Sequence, residues 1–370
     1  MINSISFYIH WPWCDYICNF CDFYKFKTDK NINYERIFNC YIRDFESLKP
    51  FTLNKKIISI NIGGGSPSNI KNYILNKIIS YLIKNFKTSN NLEISIEANP
   101  DDITESKLKT YKKIGINRIC IGVQSFENDD LKFLGRKYRK RKAINSILKA
   151  SAYFKNIGID LIYGVPGSNK EKFQKQLYYS RELPIKHISL YEFNFQNKKS
   201  ENFVELKSFF RNNKKILEHK KFFSYDLHNF SINGYQSVYN NAVLEMKDYL
   251  GIGPSAHGRI KKKDSIIKIN NTSSLENWLN PSINSYNQKT LNTKDKIKEL
   301  LLLGLTKSKG VSINQIQKLT RNNFNKYIDK KKINILEKNK FLIFKKGRLV
   351  LTLKGLLVLN SIVSTILNYN

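Results

Sequence analysis

The 370-residue sequence has no long apolar run that could anchor the chain in a membrane or direct its export. Residues 1–10 lack the basic segment, apolar stretch and cleavage site of a signal peptide. The most apolar stretch near the end, residues 356–367, is interrupted by polar side chains and is too short to span a bilayer. We therefore expect a soluble, cytoplasmic protein.

Acidic residues are also scarce, because 30 Asp and Glu stand against 63 Lys and Arg, for a net charge of +33. Such an excess can indicate nucleic-acid binding. The cations are scattered in short groups, such as Lys55-Lys56, and are not gathered into one stripe. The abundance of Asn and Ile is typical of an AT-rich genome. We therefore interpret the charge as a solvated surface and expect no nucleic-acid partner.

Cysteine is rare, yet three of the five cysteines fall within eight residues. An odd, clustered set in a reducing compartment indicates metal or redox chemistry rather than disulfides. The other two, Cys40 and Cys120, fall in a predicted helix and a predicted strand. We expect both of them in the core.

The first half of the chain alternates short β-rich runs with longer amphipathic segments. The predicted strands are residues 5–9, 57–62, 92–96, 118–122, 159–162 and 187–190. The predicted helices are residues 34–48, 70–85, 105–114, 129–134, 142–155 and 170–181. Six β/α repeats with buried strands predict an α/β fold whose parallel sheet is open or partly closed into a barrel.

The pattern changes after about residue 195. We predict a helix over 200–221, an irregular connection over 225–258, and a compact unit from 294. That unit contains helices over 294–307, 313–320 and 324–339, a hairpin over 341–351 turning at Lys346-Gly347, and a final helix. It resembles a winged helix, which says little about function. The predicted domains are a barrel (1–225), a connecting region completing the core (226–293) and a winged-helix-like domain (294–370).

Residues whose groups could take part in binding or catalysis follow the predicted strands. Active sites of parallel sheets lie at the carboxyl ends of the strands. These residues are the three clustered cysteines, residues 63–65 (all glycine), Glu97, Gln124 and Asp160. Glycines there let backbone groups approach a ligand, although a triple glycine alone is usually only a loop. Glu97 could accept hydrogen bonds from hydroxyls or an amine, or could simply favour a helix N-terminus.

The cysteines form a CxxxCxxC loop directly after the first strand, at Cys14, Cys18 and Cys21. Three thiolates can ligate three irons of a 4Fe-4S cubane and leave the fourth iron open to chelate S-adenosylmethionine. The alternatives are three unrelated cysteines or a zinc site. Zinc needs a fourth ligand, such as His10 or Asp22, and the spacings do not match a zinc finger.

Eight short strings occur in order along the chain. They are YIHWP (8–12), CxxxCxFC (14–21), GGGSP (63–67), IEANP (96–100), GVQSF (122–126), DLIYGVPG (160–167), HISLYEF (187–193) and YLGIGPSAHG (249–258). Together they resemble the oxygen-independent coproporphyrinogen III oxidase-like family of radical S-adenosylmethionine (SAM) proteins. LTLKG (351–355) extends the resemblance into the C-terminal unit.

The resemblance implies a partial (β/α)6 radical SAM barrel with a smaller C-terminal domain. It implies that a 4Fe-4S cluster is bound by Cys14, Cys18 and Cys21. It also implies contacts with SAM from Tyr8, Phe20, Gly64, Gly65, Ser66, Glu97, Gln124, Arg136 and Asp160.

Two branches of this family differ near the cysteine loop. The dehydrogenase branch, which oxidatively decarboxylates coproporphyrinogen III, has a long N-terminal extension and a fourth cysteine two positions after the third. Here the loop starts at residue 14, and Asp22-Phe23 follows Cys21, which resembles the haem-chaperone branch. That branch implies haem or porphyrin as ligand and haem-accepting proteins as partners. Its electron donor is not specified by the sequence, and the dehydrogenase and a winged-helix nucleic-acid binder are the alternatives.

One region departs from the haem-chaperone pattern. The branch carries an HNxxYW signature, and the corresponding residues 239–244 are Tyr-Asn-Asn-Ala-Val-Leu, which keep only Asn240. Tyr138 likewise stands where a histidine commonly follows the LGR motif. Tyrosinate can ligate ferric haem, so Tyr239 and His228 are alternative haem ligands. The simpler interpretation is that Tyr239 packs at a domain junction and His228 caps a turn. We expect residues 251–258 to line the cavity wall, with His257 as a further candidate.

Overall fold

The computed structural model describes residues 3–29, 32–193, 203–262 and 265–368. In chain order, its strands are β1 (Ser4–Trp11), β2 (Trp13–Cys14), β3 (Phe26–Lys27), β4 (Lys56–Gly64), β5 (Thr88–Ala98), β6 (Arg118–Gln124), β7 (Asn156–Tyr163), β8 (His187–Glu192), β9 (Phe223–Ser224), β10 (Asn229–Ser231), β11 (Asp248–Ile252), β12 (His257–Lys262), β13 (Ser265–Asn271), β14 (Tyr286–Thr290), β15 (Val311–Ser312), β16 (Leu342–Lys345) and β17 (Arg348–Leu351). All six predicted strands form, and each is longer than predicted.

Helices connect and cover these strands. They are α1 (Tyr34–Leu48), α2 (Asn72–Asn85), α3 (Glu105–Lys113), α4 (Asn128–Phe133), α5 (Lys140–Ser151), α6 (Lys170–Ser180), α7 (Phe203–Glu218), α8 (Val238–Leu244), α9 (Leu275–Leu279), α10 (Thr293–Gly304), α11 (Ile313–Leu319), α12 (Phe324–Tyr327), α13 (Lys330–Lys338), α14 (Leu353–Leu356) and α15 (Leu359–Ile366). The predicted helix over 200–221 corresponds to α7, and its residues 200–202 lie outside the described residues. None of the described helices is long and apolar enough to cross a membrane.

A twelve-stranded sheet organises the larger part of the chain, in the order β14-β13-β12-β11-β1-β4-β5-β6-β7-β8-β10-β9. The strands from β11 to β8 in this order run parallel to one another, and both flanks are antiparallel. The parallel sheet and partial barrel predicted from the β/α repeats are confirmed. The irregular connection predicted over 225–258 is wrong, because β11 lies within it as a seventh parallel strand. Its short sequence becomes a strand through non-local pairing with β1, from Ile5 opposite Asp248 to Ile9 opposite Ile252.

The two faces of the parallel strands differ in polarity, because successive side chains point to opposite faces. In β1, Ile5, Phe7 and Ile9 are buried in the main hydrophobic core with residues of α1 and α2. The intervening residues, Ser6 and Tyr8, lie on the opposite, inner face, where the Ser59 hydroxyl donates to the Ser6 hydroxyl oxygen at 2.7 Å. The inner face is therefore largely polar and suited to line a binding site.

The C-terminal unit has its own core and a three-stranded sheet in the order β15-β17-β16. The predicted hairpin turns at Lys346 and Gly347, whose φ angles of 49° and 69° are left-handed. The single helix predicted over 324–339 is wrong, since the structure has α12 and α13. The interruption falls at Ile328, which is extended and bridges to Leu367, and the Asp329 side chain caps α13 by accepting from the Lys332 N–H. The predicted domain boundaries remain predictions.

Candidate functional site

A cleft that is partly open to solvent lies at the carboxyl ends of the parallel strands. The structure brings eleven of the twelve predicted cluster and cofactor residues to its lining, namely Cys14, Cys18, Phe20, Cys21, Gly64, Gly65, Ser66, Glu97, Gln124, Arg136 and Asp160. The twelfth, Tyr8, is not in that lining. Residues distant in sequence thus meet in the cleft because parallel strands end at one edge.

The cysteine loop is held closed at its base by the short parallel ladder between β2 and β3. Within the loop, the Cys21 N–H donates to the Cys18 carbonyl at 3.3 Å, and the Lys25 ammonium donates to the Phe23 carbonyl at 3.2 Å. All three cysteines are free thiols. The loop is therefore a compact turn that presents its thiols to the cleft.

Burial raises the pKa of the Cys14 and Cys18 thiols, although a hydrogen bond from Ser66 opposes the shift at Cys14 and the Arg136 charge opposes it at Cys18. Because thiolates are the metal-binding form, iron binding here would release protons. Among the described residues, no three His, Cys, Asp or Glu side chains converge closely enough to hold a single metal ion. A cubane offers each thiolate a different iron, so its ligands need not converge on one point.

Residues 63–65 form a cradle beside the cysteine loop. A Cβ on Gly65 would lie 2.9 Å from the Cys14 Sγ, and a Cβ on Gly63 would lie 2.5 Å from the Glu97 Oε1. Gly64 has a φ of 112°, and a Cβ there would lie 2.6 Å from the His10 Nδ1. Glycine is required because the backbone passes between Cys14 and Glu97, which both line the cleft.

Two carboxyl groups face each other in the cleft, Glu97 at the end of β5 and Asp160 in β7. The Gly64 N–H donates to the Glu97 Oε2 at 3.3 Å. Burial, together with the charge of Asp160, raises the pKa of Glu97 to about 7, and burial also raises the pKa of Asp160. Such a pair favours a cationic or hydroxyl-rich ligand, which would compensate the ionised carboxylates.

Gln124 and Arg136 complete the cleft on the β6 side. Gln124 ends β6 with a left-handed φ of 65°, a conformation that costs about 1 kcal/mol or more and is found often at functional sites. The Arg136 guanidinium lies over the Phe20 ring at 5.2 Å and the Tyr138 ring at 5.7 Å. Its Nε is buried without a hydrogen-bond partner, and so is the Asn99 Oδ1. Three thiols, a glycine cradle and these unsatisfied polar atoms fit a cluster with a polar cofactor.

Sequence reasoning missed several residues of the cleft. Cys120 was expected in the core, but it lines the cleft, and its thiol donates to the Asp160 Oδ1 at 3.3 Å. The signal was its position, since Cys120 lies four residues before Gln124 on the same face of β6. Asn99, two residues after Glu97, also lines the cleft and donates to the Tyr16 hydroxyl at 2.9 Å. The core prediction for Cys40 is confirmed.

Tyr8 and Tyr239 lie together outside the cleft lining. Their rings stack at 5.8 Å, and the Tyr8 hydroxyl pairs with the His10 Nδ1 at 3.2 Å. Burial raises the pKa of both phenols, so neither ionises readily. Tyr239 therefore makes the packing contact that the simpler interpretation describes.

The histidine candidates lie at opposite flanks of the twelve-stranded sheet, His228 beside β8 and His257 at the start of β12. The turn-capping interpretation of the His228 side chain is wrong, because only its backbone N–H donates to the Asp226 carboxylate, at 2.8 Å. Its ring instead bonds the Leu190 carbonyl and stacks on Tyr191. The expectation that residues 251–258 line the cavity is also wrong. Their glycines allow close backbone packing, since a Cβ on Gly253 would lie 2.6 Å from the His10 carbonyl oxygen.

A second cluster of polar side chains lies on the inner face of the sheet, nearer the amino ends of the parallel strands. Arg118 is 3% exposed and donates to the Asn156 Oδ1 and the Tyr235 carbonyl, each at 3.0 Å, and it lies 4.0 Å from Glu93. His187 pairs with the Tyr225 hydroxyl at 2.8 Å. We call Glu93, Arg118, His187 and Tyr225 the floor, and Glu97, Gln124, Arg136 and Asp160 the rim.

The sheet, the cysteine loop and the cleft agree with the class of protein that the family comparison gives. Residues 8–176 match the Radical SAM superfamily, and residues 291–358 match the HemN C-terminal domain. The fold and the site thus define a radical SAM protein, a class that implies a 4Fe-4S cluster and SAM.

Relatives that are similar over most of the chain identify the family within that class. The heme chaperone HemW of Buchnera aphidicola subsp. Acyrthosiphon pisum is 32% identical over 81% of this chain and 82% of its own. The heme chaperone HemW of Lactococcus lactis is 29% identical over 87% of this chain and 86% of its own. The chain belongs to the HemW family of radical SAM proteins.

A solved structure supports the fold. Coproporphyrinogen III oxidase (HemN) from Escherichia coli, a radical SAM enzyme, matches with a TM-score of 0.82 at 20% sequence identity. The match covers 100% of this chain and 91% of that chain. At this identity the likeness extends to the fold alone.

Proposed function

We propose that this chain is a haem-handling radical SAM protein whose cluster is held by Cys14, Cys18 and Cys21. The observation that carries the proposal is the meeting of three free thiols, a glycine cradle and a carboxyl pair in one cleft at the strand ends. When bound, the cluster and SAM supply one-electron reductive chemistry at that cleft.

The residues of the cleft have separate roles in this proposal. The backbone of Gly64 and Gly65 and the Ser66 side chain form the wall of the cofactor site near Cys14. Glu97 and Asp160 accept hydrogen bonds from its amine and hydroxyl groups, and their raised pKa values mean that a bound cation favours their ionised form. Gln124, Phe20 and Arg136 close the opposite side. Tyr8 acts through packing, because it lies outside the cleft lining.

The haem-handling part of the proposal is supported by the relatives named heme chaperone and by the surface around the cleft. Phe23, which lines the cleft, is 64% exposed, and Phe133, whose carbonyl accepts from the Asn19 amide of the cysteine loop, is 38% exposed. Exposed aromatic rings beside a cationic side chain, here Lys25 in the cleft lining, suit a flat apolar macrocycle that carries anionic propionates. In this proposal the protein binds haem and passes it to acceptor proteins.

Anaerobic reconstitution with iron and sulfide tests the cluster assignment. The parent should hold about four irons and four sulfides per chain, and Cys14→Ala, Cys18→Ala or Cys21→Ala should lose them. Cys40→Ala is the matched control, because that thiol lies in the core. Protein that takes up zinc and no sulfide would refute the assignment.

Titration with hemin under the same conditions tests haem handling. The proposal expects a saturable Soret shift with one haem per chain, followed by transfer to an apo-haemoprotein. It also expects no conversion of coproporphyrinogen III in the presence of reductant and SAM. Efficient conversion without stable hemin binding would favour the dehydrogenase instead.

A further inference from the structure

The C-terminal unit carries more positive charge for its length than the rest of the chain. Residues 294–370 hold 17 Lys and Arg against 4 Asp and Glu, within a net charge of +33 for the whole chain. Three of these four acidic side chains are already engaged. Glu299 pairs with Arg259 of β12 at 2.6 Å, Asp329 caps α13, and Glu337 accepts from a backbone N–H of β16 at 2.9 Å. Few carboxylates therefore remain to neutralise the cations of this unit.

The order of elements in this unit is that of a winged helix. The chain runs α10, β15, α11, α12 and α13 and then forms the β16–β17 hairpin, with a sheet ordered β15-β17-β16. In a helix-turn-helix arrangement the later helix enters the major groove of DNA, and α13 has that position here. The hydrogen bond from the Phe344 N–H of β16 to Glu337 of α13 fixes the hairpin beside this helix. The fold alone assigns no function, so the exposed side chains of α13 and the hairpin decide.

One face of α13 is exposed and has the side-chain types that read a DNA groove. Four exposed residues share this face because they are spaced as i, i+3, i+4 and i+7, namely Lys331, Asn334, Ile335 and Lys338. On the opposite face, Ile333 is buried in the core of the unit. Asparagine can bond adenine, lysine can bond guanine, and an apolar side chain such as Ile335, which is 57% exposed, can contact a thymine methyl group. The exposed face of α13 therefore suits the major groove.

The first turn of α13 holds three consecutive lysines, at 330–332. The helix dipole disfavours cations there, because its positive end lies at the N-terminus. Lys330 lies over the Phe324 ring at 5.8 Å and Lys332 lies 3.9 Å from Asp329, whereas Lys331 is exposed on the face described above. A phosphate group bound at this end of α13 would offset the unfavourable placement of the lysines.

The turn of the β16–β17 hairpin adds two exposed cations, Lys345 and Lys346. Neither forms an ion pair within the part of the chain that the structure describes. Arg348 is engaged instead, since its guanidinium donates to two backbone carbonyls just before β15, at 2.6 and 2.8 Å. Arg348 thus fixes the base of the hairpin, and the two lysines at its turn remain available to phosphates.

We propose that the C-terminal unit binds duplex DNA, with the exposed face of α13 in the major groove and the turn of the β16–β17 hairpin on the phosphate backbone. B-form DNA suits this surface because its major groove admits an α-helix. The lysines are scattered in the sequence, and the fold gathers them on this surface. For that reason the proposal departs from the expectation of no nucleic-acid partner, which considered only spacing along the chain. It is independent of the cluster and of haem.

Fluorescence anisotropy of the full-length, reconstituted protein with a labelled DNA duplex of mixed sequence, about 20 base pairs long, tests the proposal. If four lysines contact phosphates, the logarithm of the binding constant should fall with the logarithm of the salt concentration with a slope of about −3.6. Lys331→Ala combined with Lys338→Ala should weaken binding about tenfold or more and make the slope shallower by about 2. Lys345→Ala combined with Lys346→Asn should do the same, and Asn is chosen because it tolerates the left-handed φ of 49° at that position.

Lys113→Ala combined with Lys149→Ala is the matched control, because it removes two exposed lysines from α3 and α5 of the barrel. It should change the affinity less than about twofold. An equal loss in this control would mean that the whole basic surface binds DNA, and it would overturn the proposal. Preference for duplex RNA would also overturn it, since the deep, narrow major groove of A-form RNA excludes a helix. So would parent protein that binds no DNA. Thermal unfolding and hemin titration of each variant should match the parent, so failure here leaves haem handling intact.

Discussion

The floor and the rim share two strands, since β5 carries Glu93 and Glu97 and β6 carries Arg118 and Gln124, yet the two sets of polar groups have different partners. Glu93 and Glu97 both lie on the inner face of β5. Glu93 accepts from the Val238 N–H at 2.9 Å and lies beside Arg118, whereas Glu97 faces Asp160 across the cleft. Near the amino ends, Glu93 and Arg118 are held by protein partners, although the His187 Nδ1 there is buried without one. At the carboxyl ends, Glu97, Gln124, Arg136 and Asp160 line the open cleft, where they can bind a ligand.

The largest expected effect comes from breaking the floor. Arg118→Met leaves the Glu93 carboxylate buried without its partner, so the free energy of unfolding should fall by about 3–5 kcal/mol in urea denaturation. Arg136→Met, the matched change at the rim, should cost about 1 kcal/mol through its lost ring contacts. Equal losses at the two arginines would remove the distinction between floor and rim.

The second largest effect is expected at the rim, where Glu97→Gln should increase the stability of the fold. The folded pKa of Glu97, about 7, exceeds the ordinary value of 4.5, so the folded state holds this proton more tightly. Its contribution is fully present below pH 4.5 and is lost as the pH rises to about 7. Glu97→Gln should therefore raise the free energy of unfolding of the cofactor-free protein by up to about 3 kcal/mol at pH 8, with little change at pH 4.

Paired unfolding curves at pH 4 and pH 8 check this prediction, and SAM binding by the same variant should weaken. Glu93→Gln is the comparison within the floor: burial raises the pKa of Glu93 as well, so this change relieves a similar desolvation, but it also removes the charge beside Arg118 and should gain less stability at pH 8 than Glu97→Gln. A Glu97→Gln variant with the same stability difference at both pH values would contradict the raised pKa.

A smaller effect on stability, with a larger effect on the cluster, is expected at the glycine cradle. Gly65→Ala places a Cβ 2.9 Å from the Cys14 Sγ and from the Trp13 carbonyl oxygen. We expect a loss of about 1–3 kcal/mol from the forced shift, together with a marked drop in iron and sulfide uptake. Gly167→Ala serves as control: its φ of 82° adds backbone strain, but a Cβ there would meet no atom within 4 Å, so iron and sulfide uptake should be unchanged. Full cluster occupancy in Gly65→Ala would contradict the claim that the glycine cradle leaves the space that the cluster needs beside Cys14.

The smallest effect is expected at Cys120. Cys120→Ser keeps a donor toward Asp160, so stability should change by less than about 1 kcal/mol in thermal unfolding. Cluster content should be unchanged, because this thiol is not one of the proposed ligands. Loss of iron in Cys120→Ser would bring a fourth cysteine into the site.

These contrasts show what local sequence could and could not predict. The six strands and the cysteine loop were predictable because their patterns are local. β11 was not, because Asp248–Ile252 becomes a strand by pairing with residues more than 200 positions earlier. Cys120 was predictable in principle, since side chains two apart share a strand face. The position of Tyr8 depends on α8, which supplies the stacked Tyr239, and no local pattern encodes that contact.

The most direct test of the central claim is EPR spectroscopy of the reduced, reconstituted protein with and without SAM. A cluster held by Cys14, Cys18 and Cys21 has one open iron, so adding SAM should change the EPR signal of the reduced cluster. Cys40→Ala should respond in the same way as the parent. A reduced cluster whose signal is unaffected by saturating SAM would contradict the account.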